Sequence, residues 1–236
     1  MLPIARLLSL LTVRASMEII PIEAFGIHVE IPFLIPQGLQ VAKLDEFAAQ
    51  ICDPENGLSI RPDQVRLRKW DELFGYELIA QFFAENGQLS RTCDRVKLFV
   101  RNARTAGDWN IIHQTLTKFY DILELDPKTI TTLSAHVHGK FPTTEERDAF
   151  LNQFSHNALI NKPAALGFTR IFDWEKDIRV LIEPSNVVPD AVFVAWDTQY
   201  VNNQDDWESF LASLPTMMEN AANLFELGFE PFRERV

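Results

Sequence analysis

Glycine is scarce in this chain, nine residues in 236. Neither G-x-x-x-x-G-K-[ST] nor G-x-G-x-x-G occurs, so a phosphate loop and a dinucleotide fingerprint are both excluded. Cysteine is scarcer still. Cys52 and Cys93 are the only two, too few for a disulfide framework and not spaced as C-x-x-C, and they read as buried thiols in a reducing compartment. No Gly-x-Ser-x-Gly elbow or comparable cysteine setting prepares a nucleophile. No apolar run reaches the roughly twenty residues that a membrane-spanning helix needs. Positive charge is also short, with 22 Lys and Arg against 33 Asp and Glu and a formal charge of -11. That balance favours solubility and opposes general attraction to nucleic acid or anionic lipid.

What is present suits a packed core. Hydrophobic residues make up 47% of the chain, with five Trp, enough for one sizeable core or two small ones. Residues 1–16, MLPIARLLSLLTVRAS, carry Arg6 and Arg14 and no acid. A targeting peptide, a membrane-surface helix, a short helix docked on the body, and a true start at Met17 all remain open for them.

Period-two and helical patterns give an ordered set of elements. The first half reads as a strand at 25–33, a helix at 40–51, strands near 64–69, 76–83 and 95–101, and a helix from Asp108 that buries Trp109, Ile112, Leu116 and Phe119. The second half repeats the order. It has a strand at 131–141, a helix opened by Thr143 and Glu146 as a capping box, strands near 166–172, 177–182 and 191–200, and a helix opened by Asp205 and Glu208, with Pro215 expected to break or bend it.

Identities follow the same order. His28-Val29 with Phe33 recurs as His136-Val137 with Phe141, Trp70 with Leu78-Ile79 as Trp174 with Leu181-Ile182, and Asp108-Trp109 as Asp206-Trp207. The expected fold is therefore α+β, an internally duplicated β-α-β-β-β-α unit forming a mostly antiparallel eight-stranded sheet with its helices on one face. Residues 1–19 form an extension, and 20–126 and 127–236 form two repeats packed as one domain.

The strand Val192-Phe193-Val194-Ala195-Trp196-Asp197, the acidic Asp-Asp-Trp-Glu helix start and the closing Leu-Phe-Glu-Leu-Gly-Phe-Glu resemble the C-terminal part of a sporadically distributed bacterial family of uncharacterised duplicated α+β proteins. The Asp108-Trp109 helix is similar to that family's central helix. The resemblance implies a fold and a bacterial origin. It implies no activity and no catalytic residues.

Alternation also decides what faces away from the helices. His28 and Glu30 point there, as do His136, His138 and Lys140. If their strands are neighbours, His28, Glu30, His136 and His138 offer ligands for a divalent transition metal; the plainer reading is solvated polar positions. The same face collects Arg66, Arg68, Lys97, Phe99, Arg101 and Arg179. Such a surface suits an acidic patch on a protein partner or a small anionic ligand, or it is a solvated face whose cations pair with Glu30 and Glu77 across strands. Asp205-Asp206 and Glu145-Glu146 sit where helix starts favour negative charge, and His113 and His156 read as structural or solvated. The sequence thus points to a non-catalytic, cytoplasmic interaction module, immunity- or antitoxin-like in its acidity and compactness. The alternative is a small-ligand or metal-binding protein.

Overall fold

The computed structural model describes residues 18–55, 58, 60–70, 74–123, 129–153, 169–173, 178–202, 206–223, 225 and 227–229. The expectations for residues 1–16, His156, Trp174, Asp205 and the first part of the 166–172 strand lie outside them.

β-Branched and aromatic residues alternating with polar ones produce long strands. In β2 (Ile22–Pro32), Ile27, Val29 and Ile31 are fully buried while His28 and Glu30 are only half so. The first half continues with α1 (Val41–Cys52), β3 (Val65–Lys69), β4 (Tyr76–Phe82), β5 (Gly87–Arg91), β6 (Arg95–Ala103) and α2 (Ala106–Ile122). The second half runs β7 (Ile130–Lys140), α3 (Thr144–Asn152), β8 (Thr169–Asp173), β9 (Ile178–Pro184), β10 (Ala191–Val201) and α4 (Trp207–Asn223). A short β1 (Glu18–Ile20) pairs in parallel with β11 (Leu227–Phe229), tying the two ends of the body together.

All eight expected strands are present in one antiparallel sheet, but the sheet has nine, ordered β3-β4-β5-β6-β2-β7-β10-β9-β8. The ninth is β5. The halves meet at β2 and β7, and the sequence offset between these strands carries Ile27 onto Ala135, which are paired residues in the ladder. Their outer neighbours are Val100 and Trp196, so a pseudo-two-fold runs through a core row of Val100, Ile27, Ala135 and Trp196. The small Ala135 lies beside the large, fully buried Trp196.

One expected correspondence is corrected. Leu78-Ile79 in β4 and Leu181-Ile182 in β9 do not occupy equivalent places, because β5 separates β4 from β6 while β9 pairs directly with β10. By place, β9 matches β5. Leu-Ile recurs because any core strand wants it.

Each helix anchors on the same face of the sheet. Phe47 of α1 lies under the Arg91 guanidinium, Trp109 of α2 packs on Phe25, Phe150 of α3 on Phe141, and Trp207 of α4 on Tyr200. Caps fix where the helices begin. Thr105 accepts from the Asp108 N–H while the Asp108 carboxylate accepts from the N–H of Thr105, a reciprocal capping box. At α3 the Thr143 hydroxyl accepts from the Glu146 N–H, as the sequence implied. At α4 the Asp206 carboxylate accepts from the Glu208 N–H at 3.0 Å. Pro215 does not break α4, which runs through it to Asn223. The two cysteines are free thiols, partly buried against the core where the sequence implied buried ones.

Candidate functional site: the uncovered sheet face

Opposite the helices the sheet presents a polar face that no helix among the described residues covers. Nine strands at about 4.8 Å spacing make it about 40 Å wide. The alternation in each strand places His28, Glu30, His136, His138, Arg66, Arg68, Lys97, Phe99, Arg101 and Arg179 on it, as the sequence implied. They do not form one cluster.

Glu30 is held by two cations. Its carboxylate lies 2.5 Å from Arg95 Nη1 and 3.4 Å from Lys97 Nζ. Arg95 in turn binds Asp94 at 2.6 Å, and that contact, with the Thr92 hydroxyl, holds the Asp94 carboxyl below its ordinary range. Arg179 stands 3.8 Å from Asp197, and Arg68 stands 4.0 Å from Glu77. Cross-strand pairing therefore neutralises Lys97 and Arg179 and partly screens Arg68. Arg66 and Arg101 make no ion pair among the described residues. Arg101 stands over the Phe99 ring at 5.9 Å, beside a bulge where Arg101 and Asn102 together oppose Gly26 and Asn102 turns left-handed at φ 56°.

The centre of the face is aromatic. His136 and His138 meet edge to face with ring centroids 5.4 Å apart, and Phe193 of the adjoining strand touches both at 5.2 and 5.3 Å. The His136 ring lies over Gly26. A Cβ at that position would fall 2.6 Å from its Nε2 and 2.7 Å from the Val100 carbonyl oxygen. Burial, with the neighbouring His138, lowers the His136 pKa to about 4. The His138 pKa is lowered too, by burial. The Ser185 hydroxyl oxygen accepts from the N–H groups of Val187 and Val188 at 3.2 and 2.9 Å, so its own proton is left for His138 Nδ1 at 2.8 Å. His28 packs edge-on against Phe99 at 6.1 Å and pairs across β7 with Ser134.

Among the described residues no three His, Cys, Asp or Glu side chains are placed to hold a metal ion. The pair that comes together is His136 with His138, while Glu30 is engaged by Arg95 and Lys97. Sequence reasoning missed Gly26, Phe193 and Ser185. A glycine inside a strand signals close approach, and Gly26 could have been found that way; the other two become visible only with the strand order.

These features define a duplicated α+β protein with a mixed-sign polar sheet face. No family model matches the chain, and no curated protein matches it. A solved structure described as Methanococcus jannaschii TBP aligns over 86% of this chain and 98% of that one, at 13% identity and a TM-score of 0.29. So low a TM-score bears on neither the fold details nor the function. No helix among the described residues is long and apolar enough to cross a membrane.

Proposed function

We propose that the chain is a non-catalytic interaction module, bacterial and cytoplasmic, whose uncovered sheet face docks a protein partner carrying an acidic patch. The supporting observation is the charge pattern of that face. Among the described residues Arg66 and Arg101 stand without carboxylate partners, in a molecule of net charge -11, yet Glu30, Glu77, Asp197 and Glu183 share their face. A phosphate backbone would meet these carboxylates at every few strands. A protein surface can match alternating charge group by group and suppress wrong partners in the same way. Next to β3 the exposed Trp70 and Phe74 add aromatic side chains of the kind that anchor interfaces.

The test is an affinity capture comparing wild type with Arg66→Glu/Arg101→Glu, both checked for equal melting temperature. The expected outcome is a partner held by wild type, weakened by added salt and lost with the double variant. A captured set that does not depend on either arginine would sink the proposal.

A further inference from the structure

Arg91 sits where the alternation demands an apolar residue. It lies on the helix side of β5, two positions after the fully buried Leu89, and pairs with Leu78 and Val96 across its neighbours. Its guanidinium stacks between Phe47 at 4.7 Å and Phe33 at 5.5 Å. Nη2 donates to Gln37 Oε1 at 2.9 Å. Among the described residues no carboxylate pairs with the group, and its Nε is buried without an acceptor. Burial draws its pKa down, with Tyr76 as the opposing neighbour. Three buried side-chain polar atoms lack partners among the described residues, on Arg91, Thr131 and Trp196. Of the three, only Arg91 carries charge.

Arg91 also forms part of the wall of a cleft of about 410 Å³, within the usual range for small-molecule sites. The cleft opens between α1, the 32–37 segment and the end of α2. Its other walls include Leu34, Ile35, Ile122 and Leu123, and Leu34 and Ile35 stand 69% and 77% exposed at the rim. Lys43 and Glu46 at the mouth offset each other in charge. An arginine presents planar, paired donors that match a carboxylate, and a partly buried cation with no carboxylate partner among the described residues gains from one. We infer that this cleft binds a small amphiphilic carboxylate, its head on Arg91 and its apolar body along Phe33, Phe47 and the exposed rim. The site lies in the helix layer, opposite the docking face, and stands or falls independently of it.

Titration calorimetry at neutral pH with octanoate, octan-1-ol and inorganic phosphate tests the assignment on the full chain. Octanoate is expected to bind saturably at one site, with octan-1-ol at least about tenfold weaker and phosphate not saturating. Arg91→Gln should weaken octanoate by roughly 10–100-fold, the loss of a charge-assisted contact. Ile35→Asp, at an exposed rim position that leaves the core intact, should weaken it too. Equal affinity for octanoate and octan-1-ol, unchanged binding in Arg91→Gln, saturation by phosphate alone, or no saturable octanoate binding each overturns the inference. If Arg91→Gln fails to fold, the alcohol comparison on wild type and the Ile35→Asp variant decide it.

Discussion

His136 and Gly26 make one unit, a ring laid over a backbone that has no Cβ. In Gly26→Ala the new methyl meets the His136 ring, which can move, and the Val100 carbonyl at 2.7 Å, which belongs to a paired strand and cannot. Overpacking of this kind costs about 1–3 kcal/mol, measurable as a lower urea midpoint. Adding His136→Ala should recover only part of the loss, since the carbonyl remains. The same ring contributes to acid sensitivity, alongside His28 and His138, whose pKa values burial also lowers. Its pKa of about 4 in the folded chain lies below the unfolded value near 6.5, so above pH 6.5 it is neutral in both states and costs nothing. As pH falls from there towards 4 the unfolded chain takes up a proton that the folded chain does not, and stability drops, by up to about 3 kcal/mol at this shift. His136→Gln should flatten the pH 4–6.5 slope of folding free energy relative to wild type, and an unchanged slope would mean the ring is not buried as described.

At the scale of elements, α4 carries its own defect. Pro215 cannot donate to the carbonyl of Leu211, and its ring crowds the preceding turn. Pro215 is half-buried, so Pro215→Ala should stabilise the chain by about 1–3 kcal/mol, read from thermal unfolding, with the far-UV helical signal unchanged or stronger. The strands that period-two alternation revealed are those whose buried set is apolar, such as Ile27, Val29 and Ile31 in β2 or Val192, Val194 and Trp196 in β10. β5 was illegible because its helix-facing set is Gly87, Leu89 and Arg91: a glycine, one leucine and a partly buried cation stacked on two phenylalanines, while the outward Ser90 is itself buried. Local pattern carries no information about which aromatic rings will arrive to cover an arginine. For the same reason alternation put His28, Glu30, His136 and His138 on the same face and offered cross-strand pairing of Glu30, but that Arg95 joins Lys97 in holding it follows only from β6 lying beside β2.

At the scale of the molecule, the halves are joined twice. In the sheet the β2–β7 ladder is continuous with the strands on either side, and in the helix layer Tyr120 of α2 stacks on Trp207 of α4 at 4.2 Å and 14°. Trp207 Nε1 also donates to the Leu116 carbonyl at 3.4 Å. Each half exposes its seam-facing side chains if the other is removed, so neither has a complete core of its own, and the body should unfold in one step. Far-UV circular dichroism and tryptophan fluorescence should then trace superimposable urea transitions. Trp207→Leu removes the stack and the hydrogen bond while keeping an apolar side chain, and should cost about 2–4 kcal/mol. That loss should shift the single transition as a whole. If the variant instead splits it, with one probe leading the other, the repeats fold separately and the seam is an interface between two domains.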